Sequence, residues 1–263
     1  MPQAAWSRRS FNKAVASLAA VSTASSLSLG RRAIAASAET LKVRILSEPV
    51  VLDPAFWQSS ADVWIMEALL PKLAIFKPGK TWQWEPYAAK KLDHIDDRTV
   101  AFELIEGIKW SGGFGDVTAE DVKYSFERFL DQKLQSPIAG NWALLDHVEI
   151  TGTYAGKIHL KKPFAGLWTY VLPYDPGHIV CKKAVEAAGG KYGLTPPATA
   201  GAFRLVEYVP QQKLVLEPNP DWPLVKPNVK RIEALPITDA KAAENAVISV
   251  SYTHLTLPTI YSV

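Results

Sequence analysis

Cysteine is almost absent from this sequence, because Cys181 is the only one in 263 residues. A single thiol cannot form a disulfide within the chain, so a disulfide-stapled secreted scaffold and a CxxC redox motif are both excluded. No histidine or acidic partner is recognisable for Cys181. We therefore expect a buried thiol that packs as a small hydrophobic side chain and does not act as a nucleophile.

The sequence also lacks the signatures of common enzymes, since GxSxG, GxGxxG and HExxH do not occur. Acidic pairs such as Asp96-Asp97 and Glu120-Asp121 fall in a predicted turn and at a predicted helix start, where solvation and the helix dipole account for them. We predict no catalytic residue, no metal and no cofactor, with an exported enzyme of unknown chemistry as the alternative. The histidines show no metal-ligand spacing; they are His94, His147, His159, His178 and His254.

Acidic residues are absent from residues 1–38. Residues 7–13, SRRSFNK, resemble the twin-arginine export signal SRRxFxK, and a weakly apolar run at 14–29 and an A-x-A site at 36–38 follow. The run is too short and too polar for a permanent membrane anchor. We expect residues 1–38 to be a twin-arginine signal peptide and the rest to be periplasmic; the alternative is an amphipathic N-terminal helix that stays attached.

An excess of positive charge is absent beyond that segment. Removing the five Lys and Arg residues of 1–38 changes the formal net charge from +3 to −2 for the remaining chain. Bulk charge therefore gives no support to a nucleic-acid-binding face. Apolar residues make up 48% of the sequence and include nine Trp, which is ample for a packed core.

Charged residues are absent from residues 248–263, ISVSYTHLTLPTIYSV. Within them, VSYTHLTLPT at 250–259 corresponds to one translation frame of a transposon-end adapter used in shotgun sequencing libraries. A genuine strand is the alternative, because Val, Tyr and Thr favour one. We interpret residues 248–263 as an adapter artefact and expect the chain to be the N-terminal part of a longer protein.

Hydrophobic periodicity predicts strands and helices in irregular alternation, which favours a mixed α/β architecture over a regular doubly wound sheet. The strongest helix signal begins at Thr118, the predicted N-cap, with Asp121 completing an approximate capping box. The predicted strands are 41–46, 99–107, 148–151, 157–160, a hairpin over 201–219 that turns at 210–212, and 231–237. The predicted helices are about 61–70, 118–130, 181–190, and 240–247 with Asp239 as its cap.

Three stretches resemble the family 5 extracellular solute-binding proteins, the dipeptide and oligopeptide receptors of ATP-driven importers. They are SEPVVLDPAF (47–56), GIKWSGGFGDVTAEDVKYSFERF (107–129) and TAGAFRLVEYVPQQKLVLEPNPDW (199–222). Their order and spacing agree with the family, although TAGAF replaces the usual GTGPY and the loop before Thr118 is richer in glycine. Gly201 is expected to enter the hairpin with a positive φ.

The resemblance implies where a ligand lies. The segment after the LDP loop, 56–60, offers main-chain groups to an extended ligand, the segment after the Ser-Pro step forms a second wall, and the LPYDPGH stretch forms a third. Each residue has a plainer alternative, since the tryptophans can be core, the polar residues solvated and the tyrosine a loop anchor. The implied ligand-binding residues are Trp57, Gln58, Ser60, Ile138, Asn141, Trp142 and Tyr174.

The resemblance further implies type II periplasmic-binding-protein lobes that lack a C-terminal lobe. The first lobe comprises 39–86 and 195–247, and a smaller lobe, 87–194, is inserted between them. The implied partners are a peptide or other small solute and an ABC permease with its ATPase, for a monomer that binds no nucleic acid. Nickel complexes, opines and sugars are alternative ligands, and a periplasmic peptide-binding chaperone is an alternative function.

Overall fold

The computed structural model describes residues 40–79 and 82–248. The predicted signal peptide, 1–38, and all but the first residue of the predicted artefact, 248–263, lie outside the described residues. The described strands are β1 Thr40–Ile45, β2 Ala74–Phe76, β3 Trp84–Pro86, β4 Ala89–Asp96, β5 Thr99–Leu104, β6 Leu145–Gly152, β7 Ala155–Leu160, β8 Phe203–Val209, β9 Lys213–Pro218 and β10 Arg231–Pro236. The described α-helices are α1 Ser60–Leu69, α2 Ala119–Glu127, α3 Lys182–Ala187 and α4 Ala240–Ile248.

One four-stranded sheet joins distant parts of the chain in the order β1-β10-β9-β8. Strand β1 pairs in parallel with β10, with Thr40 opposite Arg231 and Ile45 opposite Pro236. The antiparallel hairpin of β8 and β9 completes the sheet. The sheet therefore combines residues before position 46 with residues after position 202, and α1 packs against β8.

A second four-stranded sheet, in the order β4-β5-β7-β6, is antiparallel throughout and is built within residues 89–160. Helix α2 packs against β6. The short strands β2 and β3 form a separate antiparallel pair. Each larger sheet thus has its own helix. Two of the segments to which the sequence assigned the ligand, those around residues 56–60 and 172–178, lie in the connections between the sheets, and the segment around residues 138–142 connects β5 with β6 of the second sheet. The predicted lobe boundaries stay a prediction.

The strongest local predictions are confirmed. The β8–β9 hairpin turns at 210–212, and Thr118 and Asp121 form the capping box of α2. The apolar stripe of α2 is buried at Val122, Phe126 and Phe129. The helix itself ends at Glu127 and continues as a 3₁₀ turn, Arg128–Leu130.

Three strands, β2 to β4, and the conformation of one glycine differ from the predictions. Strand β4 was not predicted because its sequence, AKKLDHID, is mostly exposed and carries register shifts at both ends, so apolar residues do not alternate cleanly. Gly201 does not have a positive φ. It is required because a Cβ there would lie 2.3 Å from the carbonyl oxygen of Ala68, where the loop before β8 crosses the end of α1.

Candidate functional site

The first segment, residues 50–60, is folded around the carboxylate of Asp62, which is fully buried in the first turn of α1. Oδ1 accepts the N–H groups of Val50 at 2.6 Å and Val51 at 3.2 Å, and Oδ2 accepts those of Gln58 at 2.8 Å and Ser59 at 2.9 Å. Ser59 Oγ accepts the Asp62 N–H in return, at 3.2 Å. A negative charge at the helix N-terminus is electrostatically favourable, so one side chain fixes the whole segment.

This arrangement restricts what the first segment can offer a ligand. The N–H groups of Gln58 and Ser59 bind Asp62, and that of Phe56 donates to the Asp53 carbonyl at 2.9 Å. Trp57 is different, because its N–H makes no hydrogen bond within the described residues. Its indole Nε1 is also buried without an acceptor among them. Of the main-chain donors at 56–59, Trp57 alone is left for an external acceptor.

A buried ion pair joins the LDP loop to the end of α2. Arg128 donates to both carboxylate oxygens of Asp53, at 2.9 and 3.0 Å, and both side chains are buried. Arg128 also donates to the Gly190 carbonyl at 2.7 Å, and Asp53 accepts the Ala55 N–H at 3.0 Å. The charge compensation and extra hydrogen bonds make this geometry tolerable in the interior. The LDP aspartate is therefore an anchor for the loop.

The second segment, residues 131–142, lies directly against the first. Ser136 Oγ donates to the Ala55 carbonyl at 2.6 Å and accepts the Ile138 N–H at 3.3 Å. A 3₁₀ turn, Ala139–Trp142, follows. Ile138 and Asn141 are half-buried, so part of each side chain faces solvent beside the first segment.

Trp142, predicted as a ligand contact, is a core residue in the structure. It is buried and stacks on Phe126 with ring centroids 4.2 Å apart. Its Nε1–H donates to the Pro176 carbonyl at 2.9 Å. The packing alternative therefore describes its environment, and the residue links the second segment to the third segment, residues 173–178.

A cluster of Lys72, His178 and Glu67 supports the third segment, with Lys72 and His178 buried and Glu67 half-buried. Lys72 Nζ donates to Glu67 at 2.6 and 2.7 Å and to the Pro173 carbonyl at 2.9 Å. His178 Nδ1–H donates to the Asp175 carbonyl at 2.9 Å, while Nε2 lies 3.3 Å from Glu67 Oε2, too poorly aligned for a hydrogen bond. Burial raises the pKa of Glu67, but Lys72 and His178 outweigh it and hold that pKa at about 2.

The third segment also carries an uncompensated acid. Asp175 is buried and its Oδ1 has no hydrogen-bond partner among the described residues. Burial raises its pKa to about 7, against the opposing charge of Lys72. Its neighbour Tyr174 is 41% exposed, and burial of part of its ring raises the pKa of its hydroxyl.

The structure exposes at least part of six of the seven predicted residues to solvent and buries the seventh, Trp142. Two hydrogen bonds, from Ser136 to Ala55 and from Trp142 to Pro176, connect the three segments in series. Five predicted residues have side chains at least partly open to solvent, and Trp57 is half-buried with unmatched donors; the five are Gln58, Ser60, Ile138, Asn141 and Tyr174.

Sequence reasoning missed the cluster of Glu67, Lys72 and His178. His178 is distant from the other two in the sequence, and no motif marks their proximity.

Within residues 40–79 and 82–248 no group of three or more His, Cys, Asp or Glu is placed to hold a metal ion. The same part of the chain contains no helix that is both long and apolar enough to span a bilayer.

Comparison with known proteins decides the family. The family described as bacterial extracellular solute-binding proteins, family 5 Middle, matches residues 83–259, the greater part of the chain. The chain belongs to this family. The match extends into the segment interpreted as an adapter artefact, 248–263, whose origin stays a prediction. The mixed α/β fold of type II periplasmic-binding-protein lobes is confirmed by the solved family 5 relatives.

Individual family 5 relatives are moderately similar. The chain is 31% identical over 196 residues to the periplasmic oligopeptide-binding protein OppA of Salmonella typhimurium, covering 65% of this chain and 35% of the relative. It is 29% identical over 231 residues to the periplasmic murein peptide-binding protein MppA of Escherichia coli, covering 80% and 42%. The chain therefore spans about two fifths or less of the length of these family 5 relatives.

Solved structures agree on the fold. MoaA from A. tumefaciens R10, in complex with mannopinic acid, superposes with a TM-score of 0.73 at 26% identity, covering 82% of this chain and 44% of MoaA. The unliganded open form of MppA gives 0.70 at 25% identity, again covering 82% and 44%. AppA of Bacillus subtilis, in complex with a nonapeptide, gives 0.73 at 20% identity and supports the fold alone.

Proposed function

We propose that this protein is the solute-binding component of an ABC importer, which captures a peptide or a similar small solute in the periplasm and delivers it to a membrane permease. The observation that carries the proposal is the pair of hydrogen bonds from Ser136 to Ala55 and from Trp142 to Pro176, which joins the three segments implied by the family 5 resemblance. The named relatives OppA and MppA bind peptides, which makes a peptide the first solute to test.

Trp57 is the centre of the proposed contact. An extended ligand pairs through main-chain groups as an added strand does, and it needs free donors and acceptors on the receptor. The Trp57 N–H and indole Nε1 have no partner within the described residues. Leaving the buried indole donor unpaired costs about 1–3 kcal/mol, and a rotation of the half-buried Trp57 side chain that brings Nε1 to a ligand carbonyl recovers this free energy on binding.

The remaining proposed residues have different roles. Gln58 and Ser60 contact the solute from the exposed start of α1, while Ile138 and Asn141 line the second segment. Tyr174, which is exposed, contacts the solute from the third segment. Trp142, which is buried, positions the third segment through its bond to Pro176 and does not itself contact the solute.

The mature protein acts as a monomer after export by the twin-arginine route and cleavage near residue 38. It has no enzymatic activity and binds no nucleic acid. One side of the ligand-binding cleft is formed by two lobes. The first lobe comprises 39–86 and 195–247, and the smaller lobe comprises 87–194. Its partners are a permease and the attached ATPase, and solute binding favours the closed form that docks on them.

Incubation of the purified chain with defined tripeptides, followed by calorimetry and mass spectrometry, tests this function. We expect stoichiometric binding, intact peptide after incubation, and a rise in Tm that grows with peptide concentration. Turnover of the peptide would instead establish an enzyme. Equal binding of unfolded polypeptides without side-chain preference would establish a chaperone.

A further inference from the structure

Three exposed aromatic side chains and the half-buried ring of a fourth form a continuous surface beside the third segment. We name this surface the aromatic ledge; it consists of Phe76, Trp82, Tyr170 and Tyr174. Trp82 is 79% exposed, and both tyrosines are 41% exposed. Ring centroids are 5.6 Å apart for Phe76 and Trp82, 6.3 Å for Phe76 and Tyr174, and 5.6 Å for Tyr170 and Tyr174. These separations lie within the range of aromatic contact, so the rings form one surface.

The aromatic ledge rests on fixed backbone. Phe76 lies opposite Trp84 in the β2–β3 pair. Trp84 stacks on Trp168, with centroids 4.7 Å apart and planes inclined by 19°. Trp168 and Tyr170 belong to the same π-helical turn, Leu167–Val171. The partly buried stack therefore ties the strand that carries Phe76 to the turn that carries Tyr170, and the exposed rings are preorganised.

Trp82 has an unusual backbone conformation. Its φ is 51°, in the left-handed region that bulky residues rarely adopt. Such a conformation is unfavourable by about 1–3 kcal/mol and persists where surrounding contacts fix it, often at ligand clamps. The Trp82 ring lies edge-to-face with that of Phe76, at an interplanar angle of 87°. The indole is thus displayed at the surface and is not folded into the core.

The position of the aromatic ledge identifies its occupant. We name the three segments, 50–60, 131–142 and 173–178, the proposed binding wall. Tyr174 belongs both to the aromatic ledge and to the third segment of this wall, so the two surfaces are continuous. Clustered exposed aromatic rings mark binding surfaces, because their apolar area is otherwise left in water. A solute bound along the wall therefore extends onto the ledge.

We propose that the aromatic ledge is a specificity subsite for a flat, weakly polar ring carried by the captured solute. This inference rests on the proposed function. Two chemical sources provide such a ring, an aromatic amino-acid side chain and the apolar face of a sugar. The ring packs on the aromatic ledge, whose two ends are Trp82 and Tyr170, while main-chain contacts near Trp57 hold the rest of the solute.

Binding of matched peptides to the full chain tests the subsite. The probes are Ala-Phe-Ala, Ala-Trp-Ala, Ala-Leu-Ala and the sugar-bearing N-acetylmuramyl-L-alanyl-D-isoglutamine, each measured by calorimetry. We expect Trp82→Ala and Tyr170→Ala to weaken binding of the ring-bearing probes roughly fivefold to tenfold, the size expected for a stacked aromatic pair. Binding of Ala-Leu-Ala should change by less than about twofold, because an aliphatic side chain gains no ring stacking.

Two further variants separate ring stacking from other effects. Tyr170→Phe keeps the ring and is expected to bind as the wild type does. Val225→Ala removes an exposed apolar side chain elsewhere, 77% exposed in the structure, and is expected to change nothing. Trp82 and Val225 are largely exposed and Tyr170 is 41% exposed, and an unchanged Tm confirms that each variant folds.

The outcomes distinguish the two proposals. If the wild type binds Ala-Phe-Ala and Ala-Leu-Ala equally, and neither Trp82→Ala nor Tyr170→Ala affects any probe, the subsite is refuted while the receptor function stands. If the wild type binds none of the four probes, the proposed function fails and the subsite fails with it. Ring-dependent binding of the muramyl probe alone would support the subsite and assign the ring to a sugar.

Discussion

The first and third segments of the proposed binding wall are held in opposite ways. In the first segment, residues 50–60, the carboxylate of Asp62 accepts four main-chain N–H groups from residues close to it in sequence. In the third, residues 173–178, the supporting charges Lys72 and Glu67 come from α1 and the residues after it. There the acid within the segment, Asp175, has an oxygen without a partner in the described chain.

The difference indicates which segment of the proposed binding wall is the more rigid. A carboxylate that accepts several N–H groups at a helix N-terminus is well satisfied, so the first segment is a fixed platform. A buried carboxyl group without a cation of its own is sensitive to protonation. We therefore expect protonation of Asp175 to change the stability of the third segment, which carries Tyr174.

The largest expected effect comes from the ion pair that fastens the first segment to α2. Arg128→Met leaves the fully buried Asp53 without compensation, and we expect the free energy of unfolding to fall by about 3–5 kcal/mol in urea titrations. Lys90→Met, which breaks an exposed pair with Glu103, is the control and should leave stability unchanged. A loss for Arg128→Met as small as that of the control would show that Asp53 is solvated.

The second prediction breaks the fixed platform itself. Asp62→Ala removes the acceptor for four N–H groups, and we expect a loss of about 2–3 kcal/mol in the free energy of unfolding. Ser59→Ala removes one acceptor from the same capping box and should cost about 1 kcal/mol. Equal losses for the two variants would mean that only the helix cap matters and that the loop is not held by Asp62.

The third prediction concerns pH and the third segment. The pKa of Asp175 is raised by burial from an ordinary value of 3.8 to about 7, so the folded state binds a proton more tightly than the unfolded state. Its contribution is fully present below about pH 4 and is lost as the pH rises to about 7. Asp175→Asn should abolish this loss and stabilise the protein by about 2 kcal/mol at pH 8.

The pKa of Glu67 shifts the other way and provides the contrast. Because it is held at about 2, below its ordinary value of 4.5, its contribution is present above pH 4.5 and is lost as the pH falls towards 2. Unfolding curves at pH 3, 5 and 8 separate the two groups. An Asp175→Asn variant with the same stability profile as the wild type from pH 4 to 7 would refute the assignment.

The smallest expected effect concerns two tryptophans, Trp57 in the first segment and Trp142 in the second. Trp57→Phe removes an indole N–H that has no acceptor, so stability should hold or rise by about 1 kcal/mol while peptide affinity falls about threefold to tenfold. Trp142→Phe instead leaves the Pro176 carbonyl without its donor and should destabilise the protein by about 1–2 kcal/mol. Loss of stability without loss of affinity for Trp57→Phe would place its indole in the core.

Much of the local structure could be predicted because its causes are local. The capping box at Thr118 and Asp121 and the hairpin turn at 210–212 follow from residues a few positions apart. The same motifs were sufficient to indicate the family. Strand β4 was missed since it is polar, and its pairing with β5 compensates for the absent alternation.

The sequence by itself determined the family and the mixed α/β fold, and it indicated the three segments of the proposed binding wall. It left Trp57 and Trp142 equivalent, as two tryptophans that could be either core or contact. Only the tertiary structure distinguished them, because the acceptor at Pro176 reaches one indole and no acceptor among the described residues reaches the other. Partners of buried polar groups are supplied by packing between distant segments, and no local pattern of residues encodes that proximity.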